Sequence, residues 1–316
     1  MQNPKVSVII PVYNSSEYIR HCLDSLLSQT LEDIEILCVD DGSTDDSLSI
    51  LEEYSRKDER VRVLTQENAG AGAARNHGLR EARGKYLSFL DSDDYFEPDM
   101  LEKARKYIIH YKADFVVFGS DQYYMDMKEY IRNPWVVRKE DLPPYMPFKY
   151  RELTGNVFKT FVGWAWDKLY RKDFVLKNNL WFQEQRTSND MYFVFSALVL
   201  AKRIAYCDKV LIHQRRGSGK SLSVTREKSW GCFYDALLAI RQRLQDEGLY
   251  WELERDFINY ALHASLWNLK TLAEPTKSIL KDKLLTEWFD ELGITGKPDD
   301  YFYNKEEYMT YLDLIK

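Results

Sequence analysis

An α/β fold with a mostly parallel central sheet and a helical C-terminal extension is predicted by three features of the chain. Short apolar, β-branched runs alternate with amphipathic stretches as far as about Phe118, the rhythm of a parallel sheet covered by helices. Acidic clusters directly follow two of those runs. From about Ser229 to Leu292, long amphipathic stretches take over from strands.

Five strands are expected: Lys5 to Val12, Glu35 to Val39, Arg62 to Thr65, Tyr86 to Leu90 and Asp114 to Phe118. Each is short and mostly apolar on both faces, as buried parallel strands are. Four helices fit between them. Ser16 to Gln29 carries Ile19, Cys22, Leu23, Leu26 and Leu27 on one stripe, and Asp46 to Arg56 follows a segment rich in capping residues. Ala73 to Arg83 and Asp99 to Tyr111 complete this doubly wound half. After Gly119 the Tyr-rich, Pro-punctuated segment through Pro147 suggests an irregular or antiparallel extension. Further strands are expected at Trp164 to Lys172 and Val210 to Gln214, with a buried helix at Asp190 to Ala201. The expected domains are 1–225, divided into 1–120 and 121–225, and a helical extension at 226–316.

The composition narrows the classes. Across 316 residues, 45% are hydrophobic and 30% charged, which excludes intrinsic disorder as the main state. A formal net charge of −6 argues against nucleic acid as a partner, because a grip on phosphates needs a basic surface. Cys22, Cys38, Cys207 and Cys232 form no CxxC pair, so reduced thiols in a cytoplasmic setting are expected. The longest apolar run, near Phe193 to Ala201, is too short to span a bilayer, so membrane contact is expected to be peripheral at most.

The acidic clusters matter because ligands of an open α/β sheet bind outside the carboxyl ends of its strands. Asp40, Asp41 and Asp45 follow the second strand; Asp91, Asp93 and Asp94 follow the fourth. Capping and turn formation account equally well for Thr44 and Asp45. Three carboxylates within four residues are different, since they repel one another unless a cation lies among them. Hard oxygen ligands in that arrangement suit Mg²⁺ or Mn²⁺ with positions left for substrate phosphates.

Four segments in order resemble the successive signatures of family 2 glycosyltransferases with the GT-A fold. They are Pro11-Val12-Tyr13-Asn14, Val39 to Asp45, Asn68-Ala69-Gly70 with Ala74-Arg75-Asn76 and Gly78, and Asp91-Ser92-Asp93-Asp94. The likeness is close over about the first 120 residues. It continues more loosely through Trp166-Asp167-Lys168-Leu169-Tyr170, Asn189-Asp190 and the loop Arg215 to Ser223.

The resemblance implies a Rossmann-like, inverting nucleotide-diphospho-sugar transferase with a bound Mn²⁺ or Mg²⁺. Pro11, Val12, Tyr13 and Asn14 would hold the donor nucleotide, and Asp41, with Asp40 sharing the task, would face the base. Asp91, with Ser92 beside it, would lie near the ribose, Asp93 would bind the metal, and Asp94 is a second ligand candidate. Arg75 would orient these carboxylates or approach the phosphates. Asp190 would be the base that takes the acceptor proton; as the first residue of a helix it would serve equally as a cap. The family pattern has Glu-Asp where this chain has Asn189-Asp190. Arg215 and Arg216 open a segment that suits a lid over a diphosphate or a solvated basic loop. Trp164, Trp166 and Trp181 could stack on an acceptor sugar or fill a core.

The expected activity is transfer of a hexosyl or N-acetylhexosaminyl group from a UDP-sugar to a saccharide or lipid-linked saccharide in bacterial surface-polysaccharide synthesis. The setting would be cytoplasmic, with peripheral contact at the inner membrane face and a homodimer both open. One alternative is a nucleotidyltransferase, but the loop after the first strand has neither glycine nor cation for a triphosphate. The other is a catalytically inactive glycan-binding relative, against which the retained Asp91, Asp93 and Asp190 argue. The Gly70-Ala71-Gly72 turn does not follow the first strand, and Arg75 occupies the third glycine position, which disfavours NAD.

Overall fold

The computed structural model describes residues 4–132, 134–217 and 227–316. Among the described residues nine strands form one sheet: β1 (Val6–Val12), β2 (Ile34–Asp40), β3 (Val61–Thr65), β4 (Tyr86–Phe89), β5 (Tyr95–Phe96), β6 (Phe115–Tyr124), β7 (Glu129–Ile131), β8 (Lys168–Arg171) and β9 (Ile204–Arg216). Their order is β3-β2-β1-β4-β8-β6-β9-β5, with β7 pairing β6 as a hairpin. Strands β1 to β4 run parallel, with Val6 opposite both Ile34 and Tyr86, so their carboxyl ends share one edge. The crossovers are α1 (Ile19–Leu27), α2 (Ser47–Lys57) and α3 (Ala71–Glu81); α4 (Met100–His110) leads into β6.

The sheet is mostly parallel through β1 to β4, as expected, and mixed beyond them. β8 lies antiparallel between β4 and β6, and β5 closes the far edge antiparallel to β9. The expected strand at Trp164 to Lys172 shrinks to β8, because Trp164 to Asp167 form a loop. The fifth expected strand instead continues through Tyr124, since a register shift at Gly119 lets β6 follow β9 for its whole length. A Cβ at Gly119 would lie 2.8 Å from the Lys209 carbonyl oxygen, so the shift needs glycine there.

Two apolar layers cover the sheet. Val6, Val8, Ile10 and Val12 face one, with Ile19, Leu23 and Leu26 of α1 and Met100, Leu101 and Ala104 of α4. Ile9, Phe89, Phe115 and Tyr170 face the other, the alternation that a pleated strand imposes. In that second layer they join α5 (Val157–Thr160), α6 (Lys172–Lys177), α7 (Met191–Leu200), α8 (Cys232–Asp246) and α9 (Tyr250–Thr271). The remaining helices, α10 (Thr276–Lys283), α11 (Phe289–Glu291) and α12 (Lys305–Ile315), pack outside through Leu280, Phe289 and Tyr311. The C-terminal helices therefore share a core with the sheet.

All four cysteines are free; Cys22, Cys38 and Cys207 are buried. Among the described residues no helix is long and apolar enough to cross a membrane.

Candidate active site

The loops leaving β1, β2 and β4 are sewn together by short polar side chains. The Asn14 Oδ1 accepts from the Thr44 amide at 2.7 Å, the Ser43 hydroxyl accepts from the Asn14 amide, and the Ser15 and Ser92 hydroxyls are 2.8 Å apart. Asn14 has φ 49°, a left-handed turn that asparagine tolerates. Pro11 and Val12 are the last two residues of β1, and Tyr13 is half-exposed beyond them. Asp45 ties down this framework. Against the cost of its burial, hydrogen bonds from Ser47 and Ser16 hold its carboxyl at about 2.

Asp40 and Asp41 are both buried but differently occupied. The Asp41 carboxylate accepts from the Gln66 amide and from the Ala69 and Gly70 backbone N–H groups, all at 2.8 Å, and so shapes the turn into α3. Asp40 accepts from the Ser43 amide through Oδ2, while its buried Oδ1 has no hydrogen-bond partner. Such an orphan acceptor at a strand end is where a donor N–H fits.

Beyond β4, Asp91, Asp93 and Asp94 present carboxylate oxygens that all lie within 4.8 Å of one another. Burial and the neighbouring Asp91 push Asp93 up to about 6; burial with both neighbours pushes Asp94 well above the carboxylate range. Crowding of this kind is relieved by a divalent cation, and the all-oxygen donor set fits Mn²⁺ or Mg²⁺. Arg215 braces the cluster from β9 rather than from a mobile loop. Its amide donates to Asp94 Oδ1 at 2.9 Å, its Nε donates to the Asp93 carbonyl, and its guanidinium lies over the rings of Tyr18 and Tyr95. Arg216 ends β9 with its charge felt at Asp93. The rest of the basic segment, 218–226, lies outside the described residues. Both ring nitrogens of His213 bond carboxylates, Asp121 at 2.7 Å and Glu97 at 2.9 Å, which leaves neither for a metal.

Arg75 connects this cluster to the proposed base. It is buried on α3, donating to Asp91 Oδ1 at 2.6 Å and to Asn189 Oδ1 at 2.7 Å. Its neighbour Asn76 exchanges two 2.9 Å hydrogen bonds with the Phe182 backbone. One turn of α3 thus grips the segment that ends at Asp190. Asp190 stands at the N-cap of α7 but makes no side-chain cap hydrogen bond, so its carboxylate is left for other work. Burial pushes it up to about 6, opposed by the Arg75 charge.

Near Asp190 lies a network that sequence reasoning left without a role. The buried Lys168 Nζ donates to Asp167 Oδ1 at 2.5 Å and to the Val162 and Trp164 carbonyls at 3.2 and 2.7 Å. Asp167 Oδ2 and the Tyr170 hydroxyl are buried without partners, and burial with the Asp167 and Asp190 charges raises the Tyr170 hydroxyl far up. The sequence signals were the polar pair inside an otherwise apolar segment and the looser family likeness of Trp166 to Tyr170, which named no role for them. Of the three tryptophans singled out, Trp166 is buried, Trp164 stacks on it at 4.7 Å, and Trp181 lies under Arg80.

The profile described as glycosyl transferase family 2 matches residues 7–177, more than half of the chain, including Asp40, Asp41, Arg75 and the Asp91–Asp94 cluster. The chain belongs to glycosyl transferase family 2. Within that family it is 31% identical over 326 residues to the cholesterol galactosyltransferase of Borreliella burgdorferi, covering 95% of this chain and 87% of that protein. It is 35% identical over 239 residues to the glycosyltransferase GlyA of Streptococcus pneumoniae serotype 4, covering 74% of this chain and 34% of that one. The chain spans about three fifths of two Bacillus subtilis relatives, EpsH and EpsJ, at 62% and 60% of their lengths. The fold resembles S. aureus TarS 1–349 in complex with UDP-GlcNAc, with TM-score 0.62 and 22% identity over 97% of this chain and 92% of that one. The α/β architecture of this family 2 chain is accordingly GT-A.

Proposed function

We propose that this chain is an inverting, divalent-metal-dependent glycosyltransferase that moves a hexosyl or N-acetylhexosaminyl group from a UDP-sugar to a saccharide or lipid-linked saccharide. The observation that carries this reading is the Arg75 bridge, which ties the aspartate cluster to the segment bearing Asp190. Family membership supports the chemistry, and TarS, which is solved with UDP-GlcNAc, supports the donor.

Residues 1–225 form the catalytic unit in this proposal and 226–316 its helical extension. Pro11 to Asn14 would flank the nucleotide, Asp40 Oδ1 would accept the base N–H, and Asp41 would hold the turn beneath it. Asp91 and Ser92 would border the ribose. Asp93 and Asp94, with Asp91 beside them, would hold the metal, which supplies positive charge to the departing diphosphate. Arg215 and Arg216 add charge on the same side. Asp190 accepts the proton of the acceptor hydroxyl as its oxygen forms the new bond to the anomeric carbon; the bond from that carbon to the diphosphate oxygen breaks, and the electron pair leaves with UDP.

A role in cell-surface polysaccharide synthesis is proposed by analogy with the poly(ribitol-phosphate) β-glucosyltransferase of Bacillus spizizenii, 30% identical over 92% of this chain and 44% of that protein. Peripheral contact at the cytoplasmic membrane face, or self-association, would use the exposed Trp251, Ile279, Met309 and Ile315 of the C-terminal helices.

The test is release of UDP from UDP-sugars with Mn²⁺ and with EDTA. Asp190→Asn should lower turnover by roughly 10²–10⁴-fold, the usual contribution of a general base, while UDP still binds. Undiminished turnover would remove Asp190 from the mechanism.

A further inference from the structure

The aspartate cluster is carried by loops of the parallel sheet; three other parts of the chain gather at the first turns of α7, at whose N-cap Asp190 stands. The first is the loop Val162 to Trp164, whose carbonyls are fixed by Lys168. Gly163 packs on the first turns of α7, where a Cβ would lie 3.2 Å from the Phe195 ring and 3.4 Å from Met191 Cγ. The second is the segment around Trp135, joined to that loop by the Val162 amide donating to the Val136 carbonyl. Trp135 stands half-exposed, edge-on to Trp164 at 5.5 Å, and Trp164 in turn stacks on buried Trp166. The third is α9. Its Tyr260 packs edge-to-face on Phe195 at 5.0 Å and against Phe158 at 6.1 Å. The Tyr260 side chain is partly exposed, and burial, together with the Asp190 charge, raises its hydroxyl pKa.

Resting on the proposed function above, we infer that this aromatic wall is the acceptor subsite, taking the pyranose ring that carries the attacking hydroxyl. Trp164, extended by Trp135, receives the apolar face of the ring; Tyr260 on α9 hydrogen-bonds a ring hydroxyl beside Asp190. Three arguments carry it. Aromatic faces favour the C–H face of a sugar, and the half-exposed Trp135 beside the partly buried Trp164 offers such a surface. The wall is rigid, because the Lys168 hydrogen bonds and the Gly163 contact fix its loop against α7. Through the Gly163 contact with Met191 it also adjoins Asp190, whose carboxylate neither caps α7 nor belongs to the aspartate cluster. The C-terminal helices would then complete the active site.

The test uses n-octyl β-D-glucopyranoside and n-octyl β-D-galactopyranoside as probes, UDP-glucose and UDP-GlcNAc as donors, and Mn²⁺. The measured quantity is the ratio of UDP release with and without glycoside, taken within each variant so that a general loss of activity cancels. Wild type should show stimulation by at least one glycoside. Tyr260→Phe keeps the ring packing and should lose about tenfold in kcat/KM for the glycoside, the equivalent of one hydrogen bond, through a raised KM. Trp164→Ala should lose as much or more. Stimulation in both variants equal to wild type overturns the subsite. Hydrolysis of donor without stimulation by either glycoside overturns its assignment to a pyranose. Absence of UDP release by wild type from either donor would instead overturn the proposed function, and this inference with it.

Discussion

Asp93 and Asp190 share a property with opposite uses: each carboxyl is raised to about 6 by burial, one within a like-charged cluster and one beside Arg75. A folded-state pKa raised above that of the unfolded chain means that the native protein binds more protons, so stability falls as pH rises from about 4 to 6. His213, raised by Asp121 and Glu97 against the cost of its burial, adds stability that is present below its unfolded pKa and lost as pH rises through the folded one. Both effects have the same sign. In EDTA the melting temperature should therefore be higher at pH 5.5 than at pH 7.5, and Mn²⁺ should raise it more at pH 7.5; calorimetry at the two pH values showing the reverse order would remove the cluster as a cation site. Catalysis has its own limb, since a base must be ionised: kcat should fall as pH drops below about 6. At this scale the three carboxylates after β4 were legible because mutual repulsion needs no structure to foresee. Arg75 was named as a residue that would orient them or approach the phosphates, but its contact with Asn189 was not legible, because that partner lies 114 positions away. Asp41 was assigned a ligand contact from the resemblance, while its hydrogen bonds go to the turn at Ala69 and Gly70.

Elements decide whether those residues meet. The first turn of α3 approaches the segment Gln183 to Asp190 so closely that a Cβ on Gly72 would be driven into the Gln183 carbonyl oxygen, with Asn189 Cβ 3.3 Å away. Gly72→Ala should accordingly separate α3 from the base segment, lowering transfer by at least about tenfold while UDP binding persists; an unchanged rate would show that the contact is dispensable. The parallel strands and their helices were readable from apolar runs and stripes, with β1 to β4 found within a residue or two of expectation. β8 was expected only as part of a longer strand, and β5 was not expected. β8 carries the buried Lys168, whose charge reads as surface until its three hydrogen-bond partners are known, and β5 has only two residues.

Over the whole molecule, the C-terminal helices and one face of the sheet form a continuous apolar cluster in which Phe89 and Phe115 share company with Phe257 and Leu262 of α9. Phe257→Ala should cost about 3–5 kcal/mol and leave a single cooperative unfolding transition when denaturation is followed by two probes; two separated transitions would show that the helices fold by themselves. Sequence analysis predicted the helices but could not reveal that Tyr260 packs on Phe195 of α7, because an amphipathic stripe does not say which neighbour it will cover. The strand order carries one more consequence, for biosynthesis. Since β8 is inserted between β4 and β6, a nascent polypeptide that has left the ribosome only as far as β6 holds four aligned strands whose β4 margin has no mate. That bare hydrogen-bonding row is a template for intermolecular pairing. Translation must proceed to Arg171 before the row is capped, so the first half of the chain is the stretch most in need of chaperone cover while it is being made.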